Sequence, residues 1–137
     1  MLDDVFAPGA RFAPVLVRIV VGIVAAVHGW PKMKDLGAFI ANVEKLGIPL
    51  APVFGTAAAL SEFLGGIALI LGLFGRWAAF FFACTMAVAV FKIHGANGFL
   101  SKGNGYEYPL VLLVASFSIV LSGSGPLSVD RLLGKKK

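Results

Sequence analysis

Apolar positions fall into four long runs, at residues 14–30, 52–74, 77–93 and 106–121, separated by short polar or glycine-rich stretches. A helix needs about 20 mostly apolar residues to cross a bilayer, so the pattern predicts four transmembrane spans. Gly75-Arg76 is the break between the second and third runs, which predicts a tight antiparallel hairpin. Between the first two runs, Phe39, Ile40, Val43 and Leu46 recur at helical spacing, with Asn42, Glu44 and Lys45 between them. That stretch reads as a short amphipathic helix lying on the membrane. Residues 95–105, with Gly95, Gly98, Gly103 and Gly105, read as a loop. The expected fold is all-α: one domain over residues 1–137, an integral membrane four-helix transmembrane bundle with an amphipathic interfacial helix between spans one and two. A basic tail follows at 131–137.

Composition strengthens this reading. The chain is 58% hydrophobic and 14% charged, whereas a soluble domain carries about 25% charged residues. A soluble chain this short has too little interior to hide so much apolar surface. Disorder is excluded by hydrophobicity, and a disulfide scaffold by the single cysteine, Cys84. The net charge of +5 comes from residues flanking the apolar runs, which argues for membrane topology and against nucleic acid. Lys135, Lys136 and Lys137 suit anionic lipid headgroups.

No cleavable signal peptide is expected, because Met1-Leu2-Asp3-Asp4 is acidic where a signal is basic. Four spans put both termini on one side. Arg11, Arg76, Arg131 and the terminal lysines would share it, opposite Lys32, Lys34, Lys45, Lys92 and Lys102. The slight excess on the first side assigns both termini to the cytoplasm. Trp30, Trp77, Tyr106 and Tyr108, at span ends, read as aromatic belt residues.

Ionisable groups inside apolar spans are expensive and therefore informative. Glu62 sits about 15 Å along the second span, near the midplane, with small neighbours Ala58, Ser61, Gly65 and Gly66 that let another helix approach. A carboxylate there must be paired or neutral. Arg18, about one turn into the first span, is the expected partner. Two readings stay open: a buried Arg18–Glu62 ion pair that only sets helix register, or a Glu62 that binds or protonates a ligand. His28, Lys32, Lys92, His94 and Glu107 gather at the outward ends of spans one, three and four. They are either snorkelling and interfacial side chains or a rim that receives a polar headgroup or exchanges protons. Ligands for zinc or an iron–sulfur cluster are too few, so no metal site is expected. Cys84 reads as a small packing residue. Any redox centre must come from a partner or a bound ligand.

Taken in order, several pieces resemble the DoxX family of small membrane proteins. They are Arg18, Gly22, His28-Gly29 and Lys32; then Glu62 with Gly65-Gly66, Leu71-Gly72-Leu73 and Arg76; then His94, Gly98-Phe99, Glu107, and the closing Gly123-Ser124-Gly125-Pro126-Leu127-Ser128. The resemblance runs from about Arg18 to Leu133. It implies a four-helix protein of the bacterial inner membrane, linked in relatives to quinone-dependent sulfur oxidation and membrane oxidoreductase complexes. It falls on Arg18, His28, Lys32, Glu62, His94 and Glu107.

The expected function is a membrane subunit of a redox system that binds a quinone or similar lipid-soluble molecule and works with a soluble or membrane oxidoreductase. Glu62, His28, His94, Glu107, Lys32 and Lys92 are the candidate ligand-binding residues. No catalytic residue and no covalently bound cofactor is assigned. Two other readings stand beside it. One is a non-enzymatic anchor recruiting an oxidoreductase through the amphipathic segment. The other is a small transporter that needs a homo-oligomer, for which the stripe Ala79, Ala83, Ala87 could serve as an interface as easily as for internal packing.

Overall fold

The computed structural model describes residues 1–134, and every regular element in it is helical. A short helix α1 (Leu2–Phe6) and a 3-10 stretch (Ala7–Phe12) run straight into α2 (Ala13–Lys34). Then come α3 (Leu36–Lys45), α4 (Ala51–Leu71), α5 (Gly75–Val88), α6 (Glu107–Ser122) and a last turn, α7 (Val129–Leu132). Pro14 and Pro52 stand in the first turns of α2 and α4, where a missing N–H costs nothing. Asp35 starts α3 by accepting from the Ala38 amide at 3.0 Å. Gly72, at φ +69°, ends α4 in the left-handed region.

Three helical stretches are long and apolar enough to cross a bilayer: Ala7–Lys34, Ala51–Leu71 and Gly75–Asn97. The fourth, α6, is apolar but 16 residues long, so helix length alone does not establish the fourth span. Two boundaries differ from the hydrophobic pattern. Helix α2 continues past Trp30 and through Pro31 to Lys34, because a proline in the last turn deletes only one hydrogen bond. Beyond Val88, α5 widens into π-helical turns over Ala89–His94, then tightens to a 3-10 turn at Gly95–Asn97.

The four long helices pack in a ring, α2 on α4, α4 on α5, α5 on α6 and α6 back on α2. Ala25, Leu69, Ala79, Phe82 and Ile119 fill its centre. Ala79 and Ala83 are buried inside the ring, so two members of the alanine stripe are already used within one chain. Helices α2 and α4 approach so closely that a Cβ on Gly66 would stand 2.7 Å from the Gly22 carbonyl oxygen. Such contact is the usual basis of helix association in lipid. Gly66→Val should therefore lower stability by about 1 to 3 kcal/mol through overpacking. Gly65→Ala, whose nearest neighbour would be 3.9 Å away, should change little; thermal unfolding in detergent compares the two.

Helix α3 turns Ile40 and Val43 toward the bundle. It folds against α4, where Gly55 leaves a notch: a Cβ there would meet Ile40 Cγ1 at 3.1 Å and Val43 Cγ2 at 3.6 Å. Cys84 is also not a packing residue, since it is exposed.

Candidate functional site

The contact between Gly22 and Gly66 sets the register of two antiparallel helices. It puts Arg18 level with about residue 70 and leaves Glu62 some eight residues, or about 12 Å, further along. That is beyond the reach of a guanidinium, and the expected Arg18–Glu62 pair does not form. Glu62 pairs instead with Lys32, whose Nζ donates to both carboxylate oxygens at 2.6 and 2.5 Å. The reason is directional. Gly29 packs against the Glu62–Phe63 backbone, Lys32 lies one turn beyond, and helical side chains lean back toward the N-terminus. Phe39 of α3 covers the ammonium with its ring, 5.0 Å from the centroid.

Arg18 serves the other end of the bundle. Fully buried, it donates through Nη1 to the Leu69 carbonyl and, at 2.8 Å, to that of Ile70. Through Nη2 it donates at 2.6 Å to the Leu127 carbonyl. The first two are last-turn carbonyls of α4, which have no partners within the helix. Asp130 completes this closure by accepting from the Phe74 and Gly75 amides at 2.8 and 3.0 Å and from Ser124 Oγ at 3.1 Å.

Above Glu62 and Lys32 lies a cavity of about 910 Å³. Its walls are mostly apolar: Val24, Val43, Phe54, Phe82, Met86 and Leu112. Polar groups also face it, among them His28, Lys32, Ser61, Glu62, Thr85 and His94. The Ser61 and Thr85 hydroxyls meet at 2.7 Å and tie α4 to α5 along one wall. His94 Nδ1 lies 2.8 Å from the Asn104 carbonyl. Since a carbonyl only accepts, Nδ1 carries the proton and Nε2 is the acceptor of the neutral ring. The His28 ring lies 6.3 Å from that of Tyr108, another lining residue. Among the described residues, no cluster of three or more His, Cys, Asp or Glu side chains is placed to hold a metal ion.

A family profile described as DoxX matches residues 13–95, from the start of α2 to the end of the π-helical turns. The chain belongs to the DoxX family. An uncharacterized protein of Haemophilus influenzae is 35% identical over 124 residues, covering 88% of this chain and 90% of its own length. A Bacillus subtilis protein with the provisional name oxidoreductase CatD is 30% identical over 122 residues, 89% of this chain and 87% of its own. Inner membrane protein YqjF of Escherichia coli is 29% identical over 125 residues, 88% of this chain and 92% of its own. No solved structure matches the chain. The apolar helices and the relatives' names together make this a membrane protein.

In this DoxX protein four of the six candidate ligand-binding residues, His28, Lys32, Glu62 and His94, line one cavity. The other two stand outside it. Glu107 accepts from the Ser101 amide at 2.7 Å and so ties down the loop before α6. Lys92 is exposed on the π-helical turns. Tyr108 reads from sequence as a belt residue yet lines the cavity, as do Thr85, Cys84 and Asn104. Thr85 and Cys84 carried one usable signal, polar side chains placed mid-span in an apolar run. Asn104 carried none, because its place depends on a left-handed turn at φ +59°. The tail residues 135–137 lie outside the described residues.

Proposed function

We propose that the cavity receives a quinone or a similar lipid-soluble small molecule, and that the protein is the membrane-embedded subunit of a redox system working with a partner oxidoreductase. The observation that carries this reading is an apolar-walled cavity of about 910 Å³ floored by the Lys32–Glu62 pair. That volume falls within the range of about 300 to 1,000 Å³ typical of small-molecule sites, which also combine apolar walls with a few convergent polar groups. Lys32 and His28 can supply hydrogen bonds to carbonyl oxygens, and Nε2 of a neutral His94 can accept one from a hydroxyl. Glu62 balances the charge of Lys32, so a neutral ring meets a site without net charge. The chain has one cysteine and two histidines, so the partner brings the electrons. The provisional oxidoreductase name of the Bacillus relative agrees with this reading.

The topology that goes with it has α6 as a fourth span and both termini in the cytoplasm. The anchor reading has less support, because Phe39 and Leu46, which would hold a docked partner, line the cavity.

The test is direct. The tagged protein is extracted gently from a bacterial membrane, and its bound lipids are separated by chromatography. Wild type should carry quinone at roughly one per chain. Glu62→Gln should carry at least tenfold less at equal abundance in the membrane. Quinone absent from wild type, or retained in Glu62→Gln, would sink the proposal.

A further inference from the structure

At the end of the bundle opposite the cavity lies a second groove, of about 890 Å³. Three arginines from separate stretches line it: Arg11 before α2, Arg76 at the start of α5, and Arg131 in α7. We propose that this groove is a phosphate-binding site, taking either the headgroup of an anionic phospholipid or a soluble phosphate ester.

Among the described residues, the three guanidiniums keep uncommitted donors. Arg76 makes a single long hydrogen bond, 3.4 Å to the Leu121 carbonyl. Arg11 stacks over Phe12, 5.0 Å from its centroid. The Arg131 side chain donates to no acceptor among the described residues. Each guanidinium offers a planar fork that matches phosphate geometry.

Gathering three positive charges in one groove raises the local potential and attracts anions. Asp130 also lines the groove and accepts from the Phe74 and Gly75 amides and from Ser124; against its one negative charge the three guanidiniums leave the lining net positive. Beneath Arg76 lies Gly123 at φ +84°, where a Cβ would press 3.2 Å from Arg76 Nε. Glycine there lets the guanidinium lie along the groove floor. Trp77 and Phe74, both more than half exposed, add an apolar wall at the same place, suited to the glycerol and upper acyl region of a lipid. The site shares no residue with the cavity and does not depend on the quinone proposal.

The experiment uses the full chain, delipidated in detergent and examined by native mass spectrometry. Phosphatidylglycerol and phosphatidylcholine are added in equal amounts. Wild type should retain phosphatidylglycerol at least tenfold over phosphatidylcholine. Arg11→Gln/Arg76→Gln/Arg131→Gln should lose that preference, while Lys34→Gln/Lys45→Gln/Lys102→Gln at the opposite end should keep it. Arg131→Gln alone, at an exposed position, should weaken retention severalfold with unchanged thermal unfolding. Inorganic phosphate in the millimolar range separates the two sources. Displacement of the lipid supports a site for soluble phosphate esters, and retention in its presence supports the lipid. Equal retention of both lipids by wild type, or undiminished phosphatidylglycerol on the arginine triple variant, would overturn the proposal.

Discussion

Arg18→Met should lose on the order of 3 to 5 kcal/mol of stability and most of its abundance in the membrane, because each buried group left unpaired costs about 1 to 3 kcal/mol. This one side chain serves three carbonyls, those of Leu69, Ile70 and Leu127, of which Leu69's also accepts from the Gly72 amide at 3.2 Å. Two of them end α4, and the third belongs to the segment that closes the bundle after α6. One substitution therefore frees a helix terminus and the C-terminal strap together. Arg18→Lys should recover part of the loss, since an ammonium keeps the charge but not the planar fork that reaches several acceptors. Melting temperatures in detergent, with membrane abundance beside them, make the comparison. Arg18→Met melting with wild type would show that water or lipid satisfies these carbonyls and that the guanidinium is dispensable.

At the other end, Lys32→Met and Glu62→Leu should each destabilise the protein, while the double variant should be more stable than either. Breaking a buried pair on one side costs about 3 to 5 kcal/mol, whereas replacing both partners with apolar groups is often neutral. Glu62 is 2% exposed and Lys32 28%, so Glu62→Ala or Glu62→Leu leaves an ammonium that can still reach some water. The loss at Glu62 should thus be smaller than at Lys32, where Lys32→Met strands a fully buried carboxylate. A double-mutant cycle in thermal unfolding reads the coupling, expected at about 1 to 3 kcal/mol. Quinone retention should behave differently: absent in both single variants and not restored in the double. Stability without binding separates the pair's structural part from its role at the cavity floor. A double variant that still retained quinone would remove Lys32 and Glu62 from the ligand site.

The two polar clusters sort the residues that looked alike along the chain. Arg18 and Glu62 are both charged groups inside apolar runs, and each demands a partner. Arg18 finds helix-end carbonyls and Glu62 finds Lys32. The recurring pieces that carry the family resemblance divide in the same way. His28, Lys32, Glu62 and His94 meet at the cavity. Arg18, Gly72, Ser124 and Ser128 meet where the C-terminal segment closes the bundle, with Gly72 so close to Arg18 and Ser128 that no side chain fits.

Much of this could be read before any folding. A helical membrane chain follows from apolar runs of bilayer length, since a backbone in lipid has to satisfy its own hydrogen bonds. A functional reading of Glu62 follows from the cost of a charge there. The amphipathic segment was legible as a helix through its spacing, though not as a cavity wall, because its apolar face could turn to lipid or to protein with the same pattern.

What the sequence alone determined is thus periodicity and cost: which stretches are helices, and which side chains cannot be left alone in an apolar surround. Tertiary structure decided the partners. Pairing across α2 and α4 depends on the axial register set where Gly22 meets Gly66, and a shift of two turns would have brought Arg18 level with Glu62 and carried Lys32 past it. The position of His94 depends on π-helical turns that break the regular spacing of α5. Neither is encoded in a local pattern, because both arise from how closely two backbones can approach and how one helix absorbs an extra residue.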